Sequence, residues 1–170
     1  MSFLDRLFSA RPDPREEVRP LWAKVVALAR DPAWYRDCGV ADTLEGRFDM
    51  VTAVLALVLL RMEREPELAA RTAPLTEIFV EEMDGQLRQS GVGDLMVGKQ
   101  IGKLIATLGG RVGALRAALA VGGDELAQAV HRNITLADDS RAEAMAQRLR
   151  ELAVRLDSTR AEALLAGELG

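Results

Sequence analysis

The sequence predicts an all-α protein, a single-domain helical bundle of about six to eight helices. Three observations carry this. Hydrophobic residues make up 49% of the chain but aromatic residues only 4%, so Leu, Ala and Val must supply the core. Apolar residues recur at spacings of three and four along most of the chain, which is helical periodicity. The two-residue alternation of a half-buried strand is nearly absent, and Tyr35 is the single tyrosine. The 170 residues suffice for one domain with a sizeable core. That domain is expected over residues 13–170, after an amphipathic segment at residues 1–12.

Each element follows from local signals. Phe3, Leu4, Leu7 and Phe8 can share one helical face, and Arg11–Pro14 breaks that piece. Asp13 can cap a helix with Pro14 at its first position, although Pro20 moves the expected start toward Glu17. Val18, Leu21, Trp22, Val25, Val26 and Leu28 carry this helix to about Arg30. Asp31–Pro32 opens a helix of a turn or two that Gly39 can end. Asp42 is the expected cap of the next helix, with Glu45 three residues on. Leu44, Phe48, Val51, Leu55, Val58 and Met62 follow at spacings of four and three. Beyond Met50 this helix is apolar on nearly every side, which suits the centre of a bundle. It should end near Glu65–Pro66.

Thr72–Pro74 begins a helix along which Leu75, Phe79, Met83 and Leu87 recur every four residues. Gly91 can end it in the left-handed region, and Asp94 can cap the following one, making a tight helical hairpin. Val97, Ile101, Leu104 and Leu108 continue in a four–three–four pattern. Gly109–Gly110 is expected to break or kink that helix. A shorter one through Val112, Leu115 and Leu119 then ends at Gly122–Gly123, with Asp124 as the next cap. Leu126, Val130 and His131 mark a brief segment. A last helix carries Met145, Leu149, Leu152 and Leu156, and a final turn or two ends at Gly167. The last third is rich in Ala, Glu and Arg and is expected to pack as an outer layer.

Composition excludes several kinds of chemistry. A net charge of −4 offers no general attraction to nucleic acid. With one cysteine, Cys38, and one histidine, His131, no disulfide or Cys/His zinc site can form within one chain. Cys38 reads as a small packed residue and His131 as a partly exposed or hydrogen-bonded one. The acidic pairs Glu16–Glu17, Glu81–Glu82 and Asp138–Asp139 are adjacent on the chain, so their carboxylates diverge and make no acid/base dyad. "GVGDLMVGK" (Gly91–Lys99) holds three glycines and a lysine, but a helix precedes it and Gln100 follows the lysine, so it fails as a phosphate loop. No catalytic residue, metal or cofactor is expected. The apolar run Met50–Leu60 is too short to span a bilayer, and the amino terminus does not read as a secretory signal. These signals predict a soluble intracellular protein.

The hairpin is the candidate recognition surface. Asp84, Arg88, Asp94, Lys99 and Lys103 surround an apolar seam there, a combination that suits a peptide or helix laid into a groove. The alternative is purely structural: a tight turn, with Gly98 allowing another backbone to approach.

Two stretches resemble a known family. "DTLEGRFDM" (Asp42–Met50) contains Asp42, Thr43, Gly46, Arg47, Phe48 and Asp49 in the order of one element of the ubiquinol–cytochrome c chaperones. "MDGQLRQSGVGDLMVGKQI" (Met83–Ile101) follows a second, longer element, and Gly110–Arg111 matches a trailing Gly-Arg. The resemblance covers about residues 22–119. It departs where the family often has a histidine early in the long helix; here that stretch is "VTAVLAL". The resemblance implies a cofactor-free helical chaperone for assembly of the cytochrome bc1 complex, with newly made cytochrome b as its client. It also implies that Asp84, Arg88, Asp94 and Lys99 line or brace the client groove, with Lys103, Arg47, Asp49 and Arg111 beside them. For Arg47 and Asp49 a second reading stands: buried ion pairs with the Asp84/Arg88 face that fix helix packing. The competing function is a helical scaffold or regulatory module for a soluble partner. The expected location is the cytoplasm, with weak peripheral contact at the inner face of a bacterial cytoplasmic membrane through Phe3, Leu4, Leu7 and Phe8.

Overall fold

The computed structural model describes residues 13–89 and 94–169, with side chains throughout except at 87–89 and 94–98. Among the described residues the chain forms helices α1 (Arg19–Ala29), α2 (Pro32–Arg36), α3 (Leu44–Met62), α4 (Pro66–Ala69), α5 (Thr72–Gln89), α6 (Asp94–Val121), α7 (Glu125–Asn133), α8 (Ala142–Ser158) and α9 (Ala161–Leu165). Short 3-10 turns at Glu16–Val18 and Asp139–Arg141 lead into α1 and α8. There is no strand among these residues, only an isolated antiparallel bridge between Val40 and Leu136. The all-helical expectation holds.

The run of apolar residues in α3 becomes the axis of the bundle. From Thr52 to Met62 every residue is buried. A helix apolar all round needs cover all round, and α1, α6 and α8 provide it. The helix α5 packs on α1 and α6, α7 packs on α6 and α8, and α9 folds back onto α1. The last third is thus an outer layer with a fully buried inner face at Met145, Leu149, Leu152 and Leu156.

The chain starts its first helix close to the expected place, through a 3-10 turn at Glu16–Val18. Asp31 caps α2 by accepting from the Ala33 backbone amide at 2.9 Å, and Gly39 leaves that helix with φ 75°. Side chains from α2 then close the end of α1: Trp34 Nε1 donates to the Leu28 carbonyl at 2.7 Å and the Tyr35 hydroxyl to the Ala29 carbonyl at 3.0 Å.

Four expectations need correction. Thr43, not Asp42, caps α3; its hydroxyl accepts from the Gly46 amide at 3.1 Å while its backbone is extended, and Asp42 is left to pair with Arg47. Gly109–Gly110 neither breaks nor ends a helix, because α6 runs unbroken for 28 residues. Two glycines cost about 1 kcal/mol each in a helix, less than the packing of α6 on α3, α5 and α7 returns. Asp124 makes no side-chain cap bond; the chain turns instead through Gly122 and Gly123, with φ 78° and 59°. The short helix α4 was not expected; Pro66 at its first turn permits it. The turn at Gly91, and the capping role of the Asp94 side chain, lie outside the described residues.

Lys99–Val121 is long and apolar enough by composition to cross a membrane, and 28% of its apolar window is buried. One side of this helix is a wall of the bundle; Ile105 and Val121 lie on the open side, 49% and 73% exposed.

Candidate functional site

The amino-terminal halves of α3 and α6, the carboxy-terminal end of α5, and α1 with α2 enclose a groove of about 1220 Å³. Trp22 and Val26 from α1, Phe48 and Val51 from α3, Met83 from α5 and Leu104 from α6 form its apolar floor. The floor is held by aromatic contacts beneath it. Phe79, fully buried, meets the Trp22 ring edge-on at 6.1 Å and the Phe48 ring at 6.5 Å. Leu44 projects at the rim with 82% of its surface exposed.

Charges of both signs ring this floor. Arg30, Arg36, Arg47 and Lys103 supply cations, and Asp42, Glu45 and Glu82 supply anions. Arg47 Nε meets Asp42 at 2.7 Å in an exposed pair. The hydrogen bond from Arg47 holds the Asp42 carboxyl below its ordinary range. Burial pushes the Tyr35 hydroxyl, also on the groove wall, above its ordinary value. A floor of large apolar side chains with a mixed charged rim has the chemistry to accept an amphipathic segment.

Further along the same stripe of α6, toward its carboxy-terminal half, lies a smaller polar cavity of about 580 Å³ lined by Asp49, Gly110, Arg111, His131 and Asn133 among others. Thr107 borders both. At its base Asp49 and Arg111, each 7% exposed, form a buried ion pair through Arg111 NH2 and Asp49 Oδ1. Arg111 also donates to the Asp49 carbonyl at 3.1 Å and to the Thr52 hydroxyl. Thr135 completes the set: its amide and hydroxyl donate to Asp49 Oδ2 at 2.8 and 2.7 Å. The guanidinium lies 5.7 Å from the centre of the Phe48 ring. One carboxylate therefore ties α3, α6 and the loop after α7 together, and it does so directly under a groove-floor aromatic.

The candidate residues thus divide. Arg47 and Lys103 border the groove, and Met83, one residue before Asp84, is part of its floor. Asp84 is half-buried on α5 and Lys99 is exposed at the start of α6. The side chains of Arg88 and Asp94 lie outside the described residues. Asp49 and Arg111 face the interior rather than the groove, so the buried brace pairs Asp49 with Arg111 rather than with the Asp84/Arg88 face, and Arg47 pairs with Asp42 at the exposed rim. Arg47 and Asp49 are two apart on one helix, so they point to nearly opposite sides, and that spacing is the sequence signal that separates a rim residue from a brace. The aromatic floor was not expected as a unit. Trp22, Phe48 and Met83 carry ordinary core periodicity, which does not separate a groove floor from the rest of the core.

The family of ubiquinol-cytochrome C chaperones matches residues 36–169. Among solved structures, the crystal structure of the Cbp3 homolog from Brucella abortus is similar to this chain at 33% sequence identity with a TM-score of 0.81, over 98% of this chain and 95% of that one. No curated protein matches significantly. The family match runs past the two motifs through α7, α8 and α9, so it takes in the groove walls from α3, α5 and α6, the buried Asp49–Arg111 pair and the outer layer. The chain belongs to the ubiquinol-cytochrome c chaperone family.

Proposed function

We propose that this protein is an assembly chaperone of the cytochrome bc1 complex that holds newly made cytochrome b through the groove between α1, α3, α5 and α6. The observation that carries the reading is the groove itself: Trp22, Phe48, Val51 and Leu104 form an apolar floor, and Arg47, Lys103, Asp42 and Glu82 form its rim. A membrane-protein client presents apolar helices before its own partners cover them. A groove with an apolar floor takes such a helix reversibly, and the charged rim reads the polar residues at its ends. Family membership and the likeness to the Cbp3 homolog support the bc1 assignment. Work on such a client belongs at the cytoplasmic face of the membrane. The protein acts by binding, without bond-making chemistry.

The test is genetic and spectroscopic. Deletion in the source organism is expected to deplete the b- and c-type haem absorbance of the bc1 complex, and the wild-type chain to restore it. Leu44→Asp/Lys103→Glu changes two exposed rim positions; Asp at the first turn of α3 also suits the helix dipole, so the fold stays intact. This variant is expected to leave bc1 content low. Normal bc1 content in the deletion strain would remove the function; full rescue by the variant would remove the groove from it.

A further inference from the structure

We infer that the polar cavity is the far end of the client groove and receives a carboxylate at the end of the bound segment, with Arg132 as its counter-ion. This rests on the groove reading above. The first observation is continuity. Gln100, Lys103, Leu104 and Thr107 of α6 line the groove, and Thr107, Gly110 and Arg111 line the cavity. These positions recur at spacings of three and four, so they form one stripe of the helix, about 16 Å long from Gln100 to Arg111. Beyond Thr107 the wall is bare, because a Cβ at Gly110 would meet nothing within 4 Å. A helical segment of about eleven residues laid along this stripe rests its apolar side on Phe48, Val51 and Leu104 and its end in the cavity.

The second observation is charge. The groove rim carries both signs, whereas the cavity offers only cations. Asp49 is the one carboxylate among the described residues that line it, and both of its oxygens are taken. Arg111 holds Oδ1, and the amide and hydroxyl of Thr135 donate to Oδ2. Arg132, exposed on the last turn of α7, makes no ion pair among the described residues. His131 beside it has Asp139 4.0 Å from its Nδ1. The carbonyls at this helix end are partly engaged: the Asn133 side chain donates to Ala129 at 2.8 Å and the Ile134 amide to Val130 at 2.9 Å. A cationic end entering the cavity meets Arg111 and Arg132 and finds no free carboxylate. An anionic end meets Arg132 unopposed. The walls of a cavity exclude part of the water and so strengthen that attraction.

The probes are three fluorescein-labelled helical peptides with the same leucine–alanine face, ending in Glu-Glu, Gln-Gln or Lys-Lys with an amidated terminus. The full-length chain is expected to bind the Glu-Glu peptide about three- to tenfold more tightly than the Gln-Gln peptide, and the Lys-Lys peptide more weakly than either. Arg132→Glu changes an exposed position and should reverse that order. Gly110→Leu puts a side chain into the cavity wall with no clash at its Cβ and raises helix propensity; it should remove the preference for Glu-Glu. Far-ultraviolet dichroism should be the same for the wild type and both variants. Equal affinity for the three peptides, or a Glu-Glu preference that survives Arg132→Glu, would overturn the inference and leave the groove standing. A Gln-Gln peptide that binds Leu44→Asp/Lys103→Glu as tightly as the wild type would overturn the groove reading and this inference with it. Phosphatidylglycerol vesicles that bind in an Arg132-dependent way, with no preference among the peptides, would give the cation to a lipid headgroup and overturn it too.

Discussion

Asp49 is where single-residue effects should be largest. Its carboxylate is buried and takes hydrogen bonds from Arg111 and from both donors of Thr135. Arg111→Ala would leave that charge inside the bundle with one partner set gone, which typically costs about 3–5 kcal/mol. Asp49→Leu/Arg111→Met, which removes both charges, is expected to cost less than the sum of the two single changes in a urea-denaturation cycle. Strict additivity would mean that the pair is not coupled. Exposed pairs behave differently. The Asp42 carboxyl is held below its ordinary value of 3.8 by Arg47, and Asp13 is lowered to about 2 by Arg15. A depressed carboxylate adds stability above its unfolded value, and that stability is lost as pH falls through the folded one. The urea midpoint of the wild type should therefore fall more than that of Asp42→Asn between about pH 5 and about pH 3, with the difference shrinking in high salt. Cys38 is buried, and burial raises its thiol above the ordinary range; it should react with Ellman's reagent only after unfolding. Its packing role was legible because a lone cysteine before a helix-ending glycine has little else to do. The Asp49–Thr135 link was not legible, because 86 residues separate the two and no local pattern connects them.

At the scale of elements, the glycines show what sequence reasoning can and cannot do. A Cβ at Gly109, Gly110 or Gly113 would meet nothing within 4 Å, and α6 is regular through all three. Their cost is therefore paid in helix propensity alone. Gly109→Ala and Gly113→Ala should each raise stability by about 0.5–1 kcal/mol in thermal denaturation. Gly46→Ala should do the reverse by more than about 1 kcal/mol, because its Cβ would sit 2.0 Å from the Ala41 carbonyl oxygen. Here α3 crosses the incoming chain at contact distance. No propensity scale separates these cases, since both glycines lie inside helices and differ only in what lies beside them. The same limit explains the misplaced break at Gly109–Gly110: composition reports what a helix loses, while its packing partners decide whether the loss matters. Helix α3 was legible for the opposite reason. An unbroken apolar run has one comfortable place in a bundle, and the cover supplied by α1, α6 and α8 follows from it.

For the whole molecule the decisive question is whether the region after Gly122, which carries no motif legible in the sequence, is part of the working fold or an appendage. The contacts favour the first. Arg61, 5% exposed on α3, donates to the Leu156 carbonyl at 2.9 Å and to the Thr159 carbonyl at 2.9 Å, so the central helix closes the end of α8 with a buried cation, where the helix dipole favours one. Ala41 donates to Thr135 at 2.9 Å and Ala137 to Gly39 at 2.8 Å, which ties the entry of α3 to the loop after α7. Gly167 turns so close to Pro20 that a Cβ would lie 2.7 Å from its carbonyl oxygen, bringing the end of the chain back to the start of α1. A chain cut after Gly122 would expose the α3 face that Met145, Leu149, Leu152 and Leu156 cover, leaving Arg61 with Glu65 alone and Asp49 without the two donors of Thr135. It should lose its single cooperative unfolding transition, and guanidinium denaturation followed by circular dichroism should show a broad, non-cooperative loss of helix. In the full chain, Leu149→Ala on α8 and Leu55→Ala on α3 should each cost about 2–5 kcal/mol, with tryptophan fluorescence and far-ultraviolet dichroism reporting the same midpoint in both variants. Midpoints that separate for Leu149→Ala alone, together with a sharp transition in the shortened chain, would show that the motif-bearing half folds by itself and that the groove does not depend on the outer layer.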